Sequence, residues 1–579
     1  MHKIGKMLRK LCTVVGAVIL VIGVLSLAVG WYNRDHIYIE PNSALMIDFS
    51  ANISELPQEN LLDEFNNQTQ IRLQNLIQAI EMAAVDSHIN VLVAKLNTSN
   101  LEMAQIQDVA RVIELFRSSG KKAYVFSQGF GSLGQGNREY YLATFFDKIY
   151  MQPHTYIGLT GLSIEIPFVR PVLNKLGVYP EFYIRYEYKT AMQMFTDNDI
   201  SPAYRQEMNR LAESLLKELT DGIAQNRRLT DIDKLIDQAP FSAEDGLAKN
   251  LIDGILYLPQ LEQQLRDEGI ENFVDLEDYM TVIRPNSGNL PTIAILTLSG
   301  TIDSGESAEG DLAGEASIGS KSVWKDISEI SELDNLKALI VRIDSPGGDY
   351  NAADEIYFAL KQLKEDKKIP IIVSQSGYAA SGGYFISLAG DYILAEPATI
   401  TGSIGVLGGK FVFKDLWQKL GVHWANIQKG KNAGILSANQ PFTPAEQKIF
   451  NASLDEIYAD FTQKVAENRP LKKDINDIAR GRVWTGKEAL ELGLIDELGN
   501  LDDALRQARQ QSKISKGEKF AIVNYPRPKS LSEKISDLLF KDMISINKIA
   551  ASSGVDIRYL NLFKRLQYDT VLLPFEIKM

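Results

Sequence analysis

The sequence predicts an α/β protein with two tandem domains. The first observation behind this fold class is an alternation of short apolar segments with longer segments of helical spacing. Residues 339–343 and 371–373 have the β-branched composition of buried strands. Between them, residues 352–364 place their apolar side chains at the spacing of a helix. Strands joined by a helix lie parallel, so the pattern predicts βαβ units and a largely parallel sheet covered by helices.

The second observation is an internal repeat of low sequence identity. Segments of similar character occur in the same order in both halves of the chain and at a nearly constant offset. The paired segments are 43–49 with 291–298, 90–97 with 337–344, 123–128 with 370–375, and 244–253 with 487–496. Chance does not keep such pairs in order, so we infer a gene duplication. It predicts a first domain over 33–285 and a second over 286–525.

The N-terminal region has the pattern of a membrane anchor. Residues 1–10 are basic, and residues 11–30 carry no charge, which is enough for a helix of about 20 residues to span a bilayer. Trp31 and Tyr32 suit the far interface. We therefore expect a cytoplasmic N-terminus, a single pass through the membrane, and the chain after residue 32 on the far side. Cleavage as a signal peptide after Gly30 is the alternative.

Composition excludes several function classes. The net charge of -13 argues against nucleic acid as a partner, because a phosphate-binding surface needs a basic face. The one cysteine, Cys12, allows neither a disulfide within the chain nor a cysteine-built metal site. No zinc-protease motif, acidic metal cluster or phosphate loop occurs in the sequence, so we expect no metal or cofactor. The tail, 526–579, has no counterpart in the first half and indicates no function.

A glycine-rich stretch at 374–387 holds the candidate nucleophile. Ser381 lies where the strand ending near 373 gives way to a helix, and Gly382 and Gly383 follow it. A hydroxyl at such a junction lies beside free backbone N–H groups, which suit the oxyanion formed when serine attacks a carbonyl. The second loop, 344–348, also follows a strand, and we expect Gly348 and Gly382 to be the oxyanion donors through their backbone N–H groups. An ordinary glycine-rich turn is the alternative interpretation.

Taken together, these features resemble the signal peptide peptidase A (protease IV) family in its long, duplicated, membrane-anchored form. The resemblance covers about residues 10–525 and rests on the anchor, the tandem halves and four motifs, at 188–191, 344–348, 378–383 and 401–405. It implies two Clp protease/crotonase-like spiral domains of repeated ββα units. It also implies a Ser-Lys dyad, degradation of cleaved signal peptides and other extended apolar peptides through an acyl-serine intermediate, and assembly into a homotetramer.

The resemblance assigns roles to further residues. Lys189 in the first half corresponds to the family's general base, and its apolar neighbours favour the neutral amine. Ser403 corresponds to the serine that orients this amine. Lys431 is the second choice of base, because the repeat aligns it with Lys189 and single-copy members carry serine and lysine in one domain. In the first half the counterpart of Ser381 would lie near Gly134, in the stretch 131–136, and no serine fits that position.

Three other hypotheses compete with this assignment. A Ser-His-Asp triad would need a histidine base, but no histidine occurs in a motif beside Ser381; the histidines are His2, His36, His88, His154 and His423. A crotonase-like acyl-CoA enzyme would share the superfold without needing a serine–lysine pair. A catalytically inactive scaffold would have lost activity in both halves, as the first half has already lost its serine.

Overall fold

The computed structural model describes part of the chain, namely residues 38–57, 70–282, 290–308, 316–515 and 517–527. The expected anchor at 11–30, the segment 1–10 and the tail beyond residue 527 lie outside these ranges. Within the ranges that are described, none of the helices has both the length and the apolar character needed to cross a membrane.

The first half, up to residue 282, is organised around a six-stranded sheet in the order β10-β6-β5-β4-β1-β11, and all of its ladders are parallel. The strands are β1 (Ser43–Asp48), β2 (Asn52–Ser54), β3 (Gln70–Arg72), β4 (Ile89–Lys95), β5 (Lys122–Ser127), β6 (Lys148–Met151), β7 (Tyr156–Ile157), β8 (Tyr179–Arg185), β9 (Phe241–Ser242), β10 (Gly254–Ile255) and β11 (Asn272–Asp275). The helices are α1 (Leu73–Val85), α2 (Met103–Ser118), α3 (Asn137–Ala143), α4 (Arg170–Leu176), α5 (Gln193–Thr196), α6 (Pro202–Arg227), α7 (Ile232–Ile236), α8 (Ala243–Ala248), α9 (Leu258–Asp267) and α10 (Leu276–Val282).

The second half, from residue 290, has an eight-stranded sheet. Its main path is β20-β18-β16-β15-β12-β22, and β17 and β21 extend it from β16. The strands are β12 (Thr292–Ser299), β13 (Thr301–Asp303), β14 (Ser317–Gly319), β15 (Leu336–Ser345), β16 (Ile371–Ala380), β17 (Tyr392–Ala395), β18 (Ile400–Gly402), β19 (Val406–Val412), β20 (Val483–Thr485), β21 (Glu497–Leu498) and β22 (Ala521–Tyr525). The helices are α11 (Ser320–Ser331), α12 (Tyr350–Lys367), α13 (Gly382–Ser387), α14 (Lys414–Lys419), α15 (Pro444–Asn468), α16 (Ile475–Ile478), α17 (Gly486–Leu492) and α18 (Leu501–Gln511).

The predicted α/β architecture with largely parallel sheets is confirmed. The central strands β12 and β15 are buried on both faces, which explains why they are continuous apolar runs rather than alternating ones. One strand is longer than expected. β16 continues to Ala380 instead of ending near 373, because Tyr378–Ala380 pairs with β18. The candidate serine therefore follows a long strand whose last residues are paired with β18.

The two halves share a ladder that bears directly on the site. β8 of the first half pairs antiparallel with β19 of the second, from Arg185 opposite Val406 to Tyr179 opposite Val412. Ladder hydrogen bonds fix the register of one strand against the other. The residues that follow β8 are thereby carried onto the second half, beside the Thr-Gly-Ser motif at 401–403.

A buried charged cluster also joins the halves. The Arg342 guanidinium on β15 is almost completely buried and donates to the Glu55 carboxylate at 2.7 Å and to Asp108, both in the first half. It also donates to the hydroxyls of Ser374 and Ser376 on β16, each at 2.9 Å. Burying these charges requires that each of them be paired. The cluster therefore favours one alignment of the first half on β15 and β16.

We expect Arg342→Met to lower the free energy of unfolding by about 3–5 kcal/mol, because it leaves two buried carboxylates without their cation. Chemical denaturation followed by circular dichroism measures the change. Lys217→Met is the control, since Lys217 forms an exposed pair with Asp221 one helical turn away, and its loss costs about 0.5 kcal/mol or less. Equal effects of the two substitutions would contradict a role for the cluster.

Candidate active site

Ser381 lies at the junction of β16 and α13, and its backbone is unusual. It has φ 57° and ψ -114°, a backbone conformation that residues other than glycine rarely adopt. Its N–H donates to the carbonyl of Gly402 at 2.8 Å, which ties the junction to the end of β18. The residue is completely buried in this structure. The chain therefore holds this hydroxyl in one place through backbone constraint on both sides.

The amine of Lys189 lies next to this hydroxyl. Nζ of Lys189 is 2.6 Å from Oγ of Ser381. The same Nζ is 3.0 Å from Oγ of Ser403 and donates to the Ser403 carbonyl at 3.0 Å. The structure thus brings together the three side chains that the sequence singled out from separate motifs. All three oxygens, one from Ser381 and two from Ser403, are uncharged.

Burial dominates the electrostatics of the lysine. Lys189 is 1% exposed, and among the described residues no carboxylate forms an ion pair with it. Burial disfavours the ammonium form and lowers the pKa of Lys189 from 10.5 to about 7. Near neutral pH a substantial fraction of this side chain is the free amine. A free amine at hydrogen-bond distance can accept a hydroxyl proton.

The second half packs against the turn that carries Lys189. Gly481 has φ +89°, and a Cβ on it would lie 2.4 Å from the backbone nitrogen of Lys189, so only glycine allows this approach. Beside it, Arg480 forms an ion pair with Glu187 at 2.8 Å. The lysine is therefore positioned by β8 before the turn and by residues 480–481 against it.

Gly348 and Gly382, the two glycines that we expect to be oxyanion donors, lie side by side. A Cβ on Gly382 would be 3.4 Å from the nitrogen of Gly348. Gly382 is the first residue of α13, so its N–H has no acceptor within the helix. Around Gly348, Ile302 N donates to the Gly347 carbonyl and Asp349 N donates to the Ile302 carbonyl, each at 2.9 Å. The Gly348 N–H takes no part in these two hydrogen bonds.

The alternative bases do not reach the serine. Lys431 is exposed in the irregular segment after α14, whereas Ser381 is completely buried. His423 lies in the same exposed segment, to which the structure assigns neither helix nor strand. His88 is occupied with Asp86 at 2.9 Å, His154 is an exposed turn residue, and His2 and His36 lie outside the described residues.

Sequence reasoning missed several residues that shape the site. Gly402 is part of the motif at 401–405, so a signal for it existed, although its carbonyl rather than its lack of a side chain contacts Ser381. Ile302 and Gly481 belong to no motif that we identified, and only the folded chain brings them to the site. Across the described residues, no cluster of histidine, cysteine and carboxylate side chains is arranged to hold a metal ion.

Comparisons with known proteins identify the family. The model for "Peptidase family S49" matches the chain twice, at residues 115–269 and 363–515, so both halves of the repeat are recognised separately. The model for "Clp protease" matches residues 317–399, which include Gly348 and Ser381.

Relatives match over most of the chain. The serine protease SPPA, chloroplastic, of Arabidopsis thaliana is 30% identical over 560 residues, which cover 93% of this chain and 80% of the relative. Protease 4 of Salmonella typhi is 29% identical, with 81% and 78% covered. Protease 4 of Haemophilus influenzae is 28% identical, with 86% and 83% covered. The chain belongs to peptidase family S49 in its duplicated form, and it is a serine endopeptidase.

Proposed function

We propose that the chain hydrolyses extended apolar peptides, cleaved signal peptides among them, through a dyad of Ser381 and Lys189. The observation that carries this proposal is the 2.6 Å approach of a buried lysine amine to a buried serine hydroxyl. The acyl-CoA and inactive-scaffold hypotheses do not explain why a buried amine should lie against a buried hydroxyl. Neither an acyl-CoA enzyme nor an inactive scaffold would need a buried lysine without a counter-ion.

In the proposed mechanism, Nζ of Lys189 takes the hydroxyl proton as Oγ of Ser381 attacks the peptide carbonyl. The N–H groups of Gly348 and Gly382 donate to the developing oxyanion. When the tetrahedral intermediate collapses, the ammonium of Lys189 returns the proton to the leaving amine, and an acyl-serine remains. Water then attacks the ester, again with Lys189 as base. Ser403 orients the amine throughout by its hydroxyl and carbonyl.

The proposed architecture is two Clp/crotonase-like spiral domains, at 33–285 and 286–525, behind one N-terminal anchor at 11–30. The match to the Clp protease model and the parallel sheets support the domain type. The basic segment before the uncharged one supports an orientation with the catalytic domains on the periplasmic side of the inner membrane.

We also propose a homo-oligomer, a ring of four chains. The sequence Lys-Leu-Gly-Val occurs at 175–178, before β8, and again at 419–422. β8 pairs with β19, whereas its counterpart after residue 422 is exposed and forms no ladder in the described structure. The counterpart of β19 in the first half, 162–168, has only a single bridge residue, Ser163, and no ladder in the described structure. Pairing of these segments between neighbouring chains would repeat the β8–β19 ladder. In a closed ring, both segments of every chain would then be paired.

The dyad is tested by substitutions in anchor-deleted protein, assayed on an apolar peptide ester. We expect Ser381→Ala and Lys189→Ala each to lower kcat by about 1000-fold or more, because neither a nucleophile nor a base can be replaced by solvent at a buried site. Lys431→Ala should leave kcat unchanged. Loss of activity in Lys431→Ala with retention in Lys189→Ala would transfer the base to the second half.

The pH dependence follows from the pKa of about 7 for Lys189. Because the base acts as the neutral amine, kcat/KM should fall once the pH drops below about 7. A lysine with the ordinary pKa of 10.5 would instead lose activity already below about pH 10. Between pH 7 and 10 the unfolded chain binds a proton at this position that the folded chain does not, so stability should rise with pH. Lys189→Met should lose this rise, measured as thermal midpoints at pH 7 and 9. A kcat/KM that keeps climbing to pH 10 would contradict a depressed pKa.

The assembly is tested at Ile427, which is 92% exposed in the unpaired segment. We expect Ile427→Asp to shift the protein to smaller species in light scattering after size exclusion, because a charge cannot be buried without a partner. Val85→Asp is the control, since Val85 is 84% exposed and is the last residue of α1 in the first half. An unchanged mass in Ile427→Asp, or a monomeric wild type, would refute the arrangement.

A further inference from the structure

The ladder between β15 and β16 is interrupted immediately before the site. Ile343 pairs with Gln375, and the next pair is Ser345 with Ala379. The ladder therefore advances two residues along β15 while it advances four along β16. The additional residues of β16 form a bulge at 376–378. Such bulges redirect a strand and are common beside active sites.

The side chain of Asp344 fills this bulge. Its Oδ1 accepts a hydrogen bond from the backbone N–H of Tyr378 at 3.0 Å. The approach is close enough that a Cβ on Gly377 would lie 3.1 Å from the same oxygen. Its Oδ2 lies 3.4 Å from the amide nitrogen of Gln105 on α2, which also reaches the hydroxyl of Ser376. One carboxylate thus links β15, the bulge and the first half.

Both strands lead from this link into the catalytic groups. β15 continues from Asp344 through the Ser-Pro-Gly sequence to Gly348, and β16 continues from Tyr378 to Ser381. No ladder pair lies beyond Ser345 on β15, whereas β16 continues beside β18. The separation of Ser381 from Gly348 therefore depends on how the two strands are held at the bulge.

We propose that Asp344 is a positioning residue, whose hydrogen bond to the bulge sets the distance between the Ser381 hydroxyl and the Gly348 N–H. This inference rests on the proposed function, because that function assigns Ser381 and Gly348 their roles. Asp344 itself touches no reacting atom.

The first half contains a related link. Asn97 is the counterpart of Asp344 in the repeat, and its Oδ1 accepts from the N–H of Gln128 at 2.7 Å. Gln128 aligns with Gln375, three residues before Tyr378. An amide oxygen therefore suffices to join the two strands. In the second half, burial raises the pKa of Asp344 to about 7, the charge of Glu55 adds to the rise, and Arg342 opposes it. Glu102 also faces the carboxyl of Asp344. An asparagine amide at this position resembles the protonated carboxyl.

The test compares Asp344→Ala, Asp344→Asn and Asp391→Ala in the full-length enzyme on an apolar peptide ester. Asp391 is a matched control, because its Oδ2 accepts from the N–H of Ile371 at 2.9 Å, at the opposite end of β16. We expect Asp344→Ala to lower kcat by about 30-fold or more with KM within about twofold, since a displaced oxyanion donor acts in the transition state. Asp344→Asn should recover most of kcat, and Asp391→Ala should lower the thermal midpoint without lowering kcat.

Asp344→Glu keeps the acceptor but adds one methylene, so it should lower kcat even if the alanine variant does not fold. Wild-type kcat in both Asp344→Ala and Asp344→Glu would overturn the inference. Equal losses of kcat in Asp344→Ala and Asp391→Ala would assign the effect to stability and overturn it as well. An active Ser381→Ala would instead overturn the proposed function, so the two failures are distinguishable.

Discussion

The site depends on burying one lysine amine without a counter-ion. An ammonium excluded from water is disfavoured, and this cost depresses the pKa of Lys189 to about 7. A nearby carboxylate would reverse the effect by stabilising the charged form. Among the described residues, the hydrogen-bond partners of the Lys189 amine are neutral oxygens of Ser381 and Ser403. Solvent must also be kept out, and neither half of the chain does this alone.

Several independent contacts between the halves serve this exclusion. The β8–β19 ladder carries the lysine across, and residues 480–481 close over its backbone. The Arg342 cluster holds the first half against β15 and β16, the strands that lead to Gly348 and Ser381. These contacts involve different elements, so the geometry of the site is determined at several points and does not depend on one flexible loop.

Much of the site was predictable from the sequence because its chemistry lies in short motifs. Ser381 followed from a strand, glycines and a helix in succession, and Lys189 and Ser403 followed from family resemblance. The α/β class followed from the alternation of apolar segments, and the duplication from paired segments at a constant offset. The anchor at 11–30 and the proposed tetramer remain predictions.

The features of the site that the sequence did not predict depend on contacts between residues far apart in the chain. Nothing local to Gly481 indicates that it packs on Lys189, and nothing local to Ile302 indicates that its carbonyl faces Gly348. The bulge in β16 was missed because apolar composition suggested a strand ending near 373, whereas pairing with β18 extends it to Ala380. Register shifts of this kind are set by neighbouring strands rather than by the residues that undergo them.

The division of the proposed dyad between the halves has a consequence for biosynthesis. The chain is made from its N-terminus, so the base is synthesised well before the nucleophile, and no complete site exists until the second half has folded against the first. A nascent protease is thus inert while it is itself extended and cleavable. The same division makes the two copies of the duplicated gene mutually dependent. With the proposed base in one copy and the proposed nucleophile in the other, deletion of either copy would remove half of the dyad.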